Sequence, residues 1–310
     1  MRLTTELFGV KFQSPVLLAA GTCGFGLELA EFFDLNDLGG FVTKSVTIDP
    51  RHGNEAPRVT EFGGGMLNSI GLANPGLEST RREKLPWIAA NVTRAQVFVS
   101  LAGHTVSEFF RLVEGLDGDE GFLGYELNLS CPNDARRDGP PFALDLDAVD
   151  EIVSGCRART DRPLLAKLAP NDLDLGGTVR CATDAGADGL TLVNTLPGLL
   201  LEGATGAAEL GAGPGGISGS ALLPVGLRAV KKARSETHVP LLGVGGVTAP
   251  EDAVAYARAG AALVQVGTAS FASPRAGLLL ARGLEKWGRE RGVSSWTDLV
   301  CSDEDEGRSS

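Results

Sequence analysis

Eight short apolar stretches recur along the chain, and their number and spacing constrain the fold more than any other feature. They are PVLLAA (15–20), GFVTKSVT (40–47), QVFVSLA (96–102), YELNLSC (125–131), PLLAKLA (163–169), GLTLVNT (189–195), PLLGVGG (240–246) and LVQVGTA (263–269). Each has strand length and is rich in Val, Leu or Thr. Segments with apolar residues at helical spacing lie between most of them, among them DLDAVDEIVSGCRART, GTVRCATDAGA and APEDAVAYARAGA. Asp145 and Asp147 are natural caps for the first of these helices. Strands alternating with helices predict a parallel sheet closed into a (β/α)8 barrel. An open doubly wound sheet is the alternative, but AAGTCGFG (19–26) has G-x-x-G-x-G spacing and not the dinucleotide-binding G-x-G-x-x-G.

A chain of 310 residues suits one such barrel, assigned to residues 1–300, followed by an acidic tail, CSDEDEGRSS (301–310), expected to be disordered. Two connections are too long for simple strand-to-helix loops: 48–80 after the second strand and 196–225 after the sixth. Both fall at the C-terminal mouth, where barrels of this kind keep their active sites, and both are expected to be lids or binding loops. Residues 1–14 are expected to form a hairpin, turning at Gly9, that plugs the barrel bottom.

The net charge of −11 argues against nucleic acid or an anionic membrane as partner. No run of about 18 apolar residues marks a membrane span, and the first residues lack the apolar segment of a signal peptide. The five cysteines (Cys23, Cys131, Cys156, Cys181, Cys301) are scattered, with no C-x-x-C pair. A disulfide framework, an iron–sulfur cluster or a metal site built from this chain is not expected, and the cytoplasm is the expected compartment.

Polar residues collect at the C-terminal ends of the strands. Lys44 and Ser45 end the second, and Asn128, Ser130 and Cys131 the fourth. The fifth carries Lys167, the sixth Asn194 and Thr195, and the loop after the second adds Asn68. Taken singly, each has a plain structural explanation. A lone cysteine is more often a small buried hydrophobe, and an asparagine can serve a turn. Lys167 within LLAKLA is harder to dismiss, because lysine is almost never buried without a partner. GVGGV and GTA, at the ends of the last two strands, let backbone N–H groups approach a phosphate, and GPGGISGSALLP offers a similar loop. With only three histidines, none clearly in this cluster, a metal site or a Ser-His-Asp triad is not expected. No carboxylate pair suggests glycoside hydrolysis. What remains is a pocket of amides, two lysines, a thiol and a phosphate cradle. It suits a phosphorylated cofactor and a planar substrate rich in carbonyl and N–H groups. The thiol is its only good proton acceptor. Proton removal at one carbon with hydride loss from its neighbour is a dehydrogenation, which needs a flavin or nicotinamide acceptor.

These motifs, together with GNEAPRV and GMLNSIGLANPG, resemble in order those of the class 1 dihydroorotate dehydrogenases, from about residue 3 to 298. The GNEAPRV and GMLNSIGLANPG loop is most similar to the NAD-linked (1B) subclass, whose catalytic chain works with a second subunit carrying FAD and a [2Fe–2S] cluster. The resemblance implies FMN at the barrel mouth and oxidation of dihydroorotate to orotate. It implies that Cys131 takes the proton from carbon 5 while the hydride on carbon 6 passes to flavin N5. Substrate contacts would come from Lys44, Asn68, Ser69, Ile70, Gly71, Leu72, Asn128, Asn194 and Thr195. FMN contacts would come from Ala20, Lys44, Ser45, Ser100, Asn128, Lys167, Val193, Gly219, Gly245, Gly246, Gly267 and Thr268. The loop after Cys131 would act as a lid. A homodimer is implied, or a heterotetramer with the FAD and iron–sulfur subunit.

The chain departs from the family pattern in three places: Ser100 stands where Asn is common, NDARRDGPPF lacks the usual glycines of the lid, and GLLLEGATGAAELGAGPGG is unusual. Rival readings are an FMN barrel acting on another dihydropyrimidine, a tRNA-dihydrouridine synthase-like flavoprotein, a lyase using Lys167 as a Schiff base, and a stand-alone homodimer that reduces fumarate.

Overall fold

A computed structural model describes residues 1–130 and 141–300. Cys131, the segment after it that was expected to act as a lid, and the acidic tail lie outside the described residues.

All eight predicted strands are present, as Val16–Leu18, Gly40–Val42, Gln96–Leu101, Gly124–Asn128, Leu164–Lys167, Gly189–Leu192, Leu241–Val244 and Leu263–Val266. They pair in chain order, every neighbour parallel, and the eighth closes on the first. The three predicted helices form as Leu146–Arg157, Leu175–Asp184 and Pro250–Arg258. Asp145 caps the first of them, its carboxylate accepting from Ala148 N at 3.2 Å. Asp174 caps the second in the same way, accepting from Gly177 N at 3.1 Å.

Side chains alternate along each strand, so each strand serves two cores. Outward residues such as Tyr125, Leu127, Leu164 and Ala166 pack under the helices in one large cluster. Inward residues at the N-terminal end (Leu17, Val42, Phe98, Leu165, Leu242 and Leu263) form a second cluster with Phe12. That end is closed by the hairpin Thr5–Leu7 and Val10–Phe12, as expected. Its two-residue turn has positive φ at both Phe8 (54°) and Gly9 (73°), the twist that suits a tight hairpin. Phe8 meets Phe98 edge-on at 5.9 Å between ring centroids, which seats the plug.

The long connections differ from expectation in one respect. They are not separate loops: Val59–Phe62, Gly65–Asn68, Leu196–Gly198 and Gly215–Ser218 join into one four-stranded antiparallel sheet. Its central pair matches Asn68 with Gly216 and Met66 with Ser218. This sheet carries Met66, Asn68 and Ser218 to the wall of a cavity at the barrel mouth.

Candidate active site

The C-terminal ends of the strands enclose a cavity of about 390 Å³, within the range of small-molecule sites. Lys44, Ser45, Asn68, Asn128, Lys167, Asn194 and Thr195 all line it, so the polar strand-end residues converge as the barrel geometry requires. Ile70, Gly71 and Leu72 line one side; Ala20, Val193, Gly219, Gly245, Gly246, Gly267 and Thr268 line others. Of the predicted site residues among those described, only Ser69 and Ser100 are not part of the lining. Both sit one step behind it. Ser69 Oγ accepts from Asn54 Nδ2 at 2.9 Å. The Ser100 hydroxyl lies 2.8 Å from Ser45 Oγ, fully buried. An asparagine there would be longer by an amide; the serine reaches the site only through Ser45.

The amides form one connected network. Asn194 Nδ2 donates to Asn128 Oδ1 at 3.1 Å and to Ser130 Oγ at 2.9 Å. Asn194 Oδ1 accepts from Thr195 N at 2.8 Å. Asn128 Nδ2 donates to Ser45 Oγ at 3.2 Å, which continues the chain to Ser100. Both hydrogens of the Asn194 amide are thereby used, while Asn128 keeps one for a ligand. Asn68 Nδ2 donates to Gly216 O at 3.1 Å, fixing its amide against the mouth sheet.

Sequence reasoning missed three groups that shape the site. Asn74, buried within GMLNSIGLANPG, makes four hydrogen bonds through its side chain. It accepts from Thr47 N (3.2 Å) and Gly76 N (2.8 Å). It donates to Thr47 Oγ1 and Leu72 O, both at 2.8 Å. This ties the loop that carries Ile70, Gly71 and Leu72 to the end of the second strand and holds Leu72 in the left-handed region, at φ 55°. Asn54 supports the same loop from beneath, its N–H donating to Ile70 O at 3.1 Å. Glu126, wholly buried below the cavity floor, lies 3.2 Å from Lys167 Nζ. Asn-Pro-Gly reads as an ordinary turn, which hid Asn74. The signal for Glu126 was a charged residue in an apolar strand, the same signal that singled out Lys167.

On the opposite wall Gly245 and Gly246 pack against Leu222 and Leu223, at the start of the helix Leu223–Arg234. Gly246 has φ +74°, and a Cβ there would lie 2.6 Å from Leu223 N and Cβ. Only glycine fits, and it brings bare backbone to the cavity beside a helix N-terminus, an arrangement suited to a phosphate. Nearby, the buried Ser270 Oγ has no hydrogen-bond partner among the described residues.

The described thiols are poorly suited to proton transfer. Burial, reinforced by Glu28 and Glu126, pushes Cys23 up to about 12. Its Sγ donates to Val42 O at 3.2 Å. Burial likewise pushes Cys156 up to about 12, and Cys181, also raised, lies on the helix Leu175–Asp184. None of the three histidines lines the cavity; His104 Nε2 lies 2.8 Å from Arg51. Among the described residues no cluster of His, Cys, Asp or Glu is placed to hold a metal, and no helix is long and apolar enough to cross a membrane.

The family model described as dihydroorotate dehydrogenase matches residues 2–286. A protein of Pelobacter propionicus named dihydroorotate dehydrogenase B (NAD(+)), catalytic subunit, is 42% identical over 298 residues, covering 96% of this chain and 97% of that protein. A Solibacter usitatus protein named putative dihydroorotate dehydrogenase A (fumarate) is 41% identical over 299 residues, covering 96% and 97%. Among solved structures, a dihydroorotate dehydrogenase of Eimeria tenella in complex with ferulenol has a TM-score of 0.82 at 21% identity. It is matched over 98% of this chain and 89% of that one, a likeness of fold.

Proposed function

The chain belongs to the dihydroorotate dehydrogenase family and oxidises dihydroorotate to orotate in pyrimidine biosynthesis, and from that premise we propose that it works with FMN in the mouth cavity and with Cys131 as general base. The observation that carries this reading is the convergence of two lysines, three asparagines and a glycine wall on one cavity of about 390 Å³.

The residues present fit FMN. The Gly245–Gly246 turn beside a helix start, with Gly267 and Thr268, would cradle the phosphate. Lys167, rising from the cavity floor, would lie beside the ring and favour its anionic reduced form. Ala20, Ser45, Val193 and Gly219 would complete the contacts. Bound there, FMN would supply the acceptor for the hydride leaving carbon 6 of the substrate.

The substrate's imide and carboxylate groups call for donors and acceptors in fixed positions. Asn68, Asn128, Asn194 and Thr195 would provide them, with their amides already oriented by Gly216, Ser45 and Ser130. Lys44 would bring a positive charge between the substrate and the cofactor. Ile70, Gly71 and Leu72 would close the substrate side, with Ser69 holding that loop from behind. Cys131, three residues beyond Asn128, would take the proton from carbon 5. The raised thiols of Cys23 and Cys156 support this assignment, because neither can act as a base near neutral pH.

For the electrons we propose a partner chain with FAD and a [2Fe–2S] cluster. The support is the number of similar proteins named as NAD(+)-linked catalytic subunits. The similar protein named for fumarate favours a second reading, a homodimer that hands electrons to fumarate directly. Co-purification from the native host separates the two.

The deciding experiment is an anaerobic visible spectrum before and after dihydroorotate. A flavin band that bleaches, and that Cys131→Ala retains but bleaches far more slowly, is the expected result. A flavin that dihydroorotate does not bleach removes the substrate assignment. A protein that cannot be loaded with FMN removes the cofactor.

A further inference from the structure

Barrel interiors are ordinarily filled with branched apolar side chains in layers. The layer beside the hairpin follows that rule. The next layer, directly below the cavity, does not. Glu126, Lys167, Thr191 and Gln265 occupy it, all buried: 0% exposed for the carboxylate, hydroxyl and amide residues and 5% for the lysine. Of the four, Lys167 lines the cavity.

Among the described residues, every hydrogen-bond partner of the carboxylate is a donor. Glu126 Oε1 lies 3.2 Å from Lys167 Nζ. Its Oε2 accepts from Thr191 Oγ1 at 2.9 Å and from Gln265 Nε2 at 3.1 Å. An ionised carboxylate only accepts, so this is a pocket built for the anion. The Gln265 amide is oriented for that purpose at its own expense, since its Oε1 finds no hydrogen-bond partner among the described residues. Stability alone does not account for the arrangement. A buried ion pair is commonly no more stable than apolar side chains of equal volume. The charge must serve what lies above it.

We propose that Glu126 is a positioning residue for the redox step: through Lys167 it fixes where the ammonium sits and how much positive charge the flavin experiences, and so sets the flavin's reduction potential. This rests on the FMN reading above. A bare lysine under the ring would over-stabilise the reduced anion and slow the transfer of electrons onward. A lysine backed by a fully bonded carboxylate is held rigidly and partly neutralised.

The test is the midpoint potential of the FMN-loaded protein, by equilibration with redox dyes at one fixed pH for every variant. Glu126→Gln removes the charge and keeps most of the bonding: the new amide oxygen accepts from Lys167, and its nitrogen donates to Thr191 Oγ1 and, once that side chain turns over, to Gln265 Oε1, which moves the unpaired position to Gln265 Nε2. Its potential should rise by about tenfold in the two-electron equilibrium constant, or about 30 mV. Lys167→Met should lower it, and the double variant should recover part of that loss along with the thermal stability that an unpaired buried carboxylate forfeits. An unshifted or lowered potential in Glu126→Gln overturns the proposal. Should that variant not fold, a double variant as low in potential as Lys167→Met overturns it equally. The two readings fail separately: a protein that takes up no FMN sinks the cofactor, whereas one that dihydroorotate bleaches, with an unshifted potential in the variant, sinks only the role of Glu126.

Discussion

Replacing Asn74 by Ala tests whether the loop proposed to hold the substrate is positioned from behind. The substitution deletes four hydrogen bonds and leaves three backbone groups, Thr47 N, Gly76 N and Leu72 O, without their partner. Each such group costs ~1–3 kcal/mol when it stays buried. Water can reach part of a loop at a cavity mouth, so a net loss of about 3 kcal/mol is expected. For a chain of this size that lowers the melting temperature by about 5 °C. The functional effect should be selective. The loop carries Asn68, Ile70, Gly71 and Leu72 on the proposed substrate side, while Gly219, Gly245, Gly246 and Gly267 come from other elements. Asn54 still holds the loop through Ser69 and Ile70, so it should loosen and not unfold. The apparent dissociation constant for dihydroorotate, from anaerobic flavin reduction at several concentrations, should rise about tenfold, equivalent to ~1.4 kcal/mol. FMN content should stay at the wild-type level. A variant that melts lower yet binds dihydroorotate as before would refute the positioning role. One that loses FMN first would show that the loop belongs to the cofactor side.

Three further outcomes are expected. Gly246→Ala should lose FMN and ~1–3 kcal/mol of stability, because its Cβ meets the Leu223 backbone at a left-handed φ. Gly267→Ala, whose Cβ comes no nearer than 3.6 Å to Ala19, should lower FMN affinity alone; equal losses in the two would contradict the steric account. Phe12→Ala, at the closed end and 0% exposed, should cost ~3–5 kcal/mol in chemical unfolding with an unchanged flavin spectrum. Stability should also fall as pH rises from about 8.5. Folded Cys23 and Cys156 hold their protons up to about 12 while the unfolded chain releases them earlier, each thiol contributing a slope of ~1.4 kcal/mol per pH unit. Cys156→Ala should remove about a third to a half of the slope below about pH 10, since Cys181 is raised as well, and above that the raised Tyr125 and Tyr256 add to it; an unchanged slope would place its source elsewhere.

The barrel was legible because each parallel strand is buried on both faces and so reads as a compact apolar run. The strand-end residues were legible for a related reason. Once the barrel is assumed, a polar residue at the C-terminal end of an apolar run has one place to go, and Lys44, Asn128, Lys167 and Asn194 went there. The mouth sheet was not legible. Its central strands pair residues 148 apart, Asn68 with Gly216, and both are short, glycine-containing segments with no pattern to distinguish strand from loop. Nor could sequence separate the lining from its support. Ser45, just past the end of the second strand, and Ser100, on the third, bond each other, yet only Ser45 reaches the cavity. Which one does so depends on how far each side chain stands along the barrel axis, a quantity fixed by strand stagger and not by residue type.

Glu126 is the instructive case. Within YELN the period of two puts it on the same inward face as Asn128, and a carboxylate there demands partners as strongly as Lys167 does. The two needs answer each other. Glu126 lies two residue pairs below the Asn128–Lys167 match between neighbouring strands, opposite Leu165. At that offset the lysine, reaching down from the rim, can meet the carboxylate, and the ammonium can still line the cavity floor. Two buried charges that each look anomalous in sequence are thus one neutral pair, set at the depth where a charge can be felt by whatever occupies the cavity without being exposed to water.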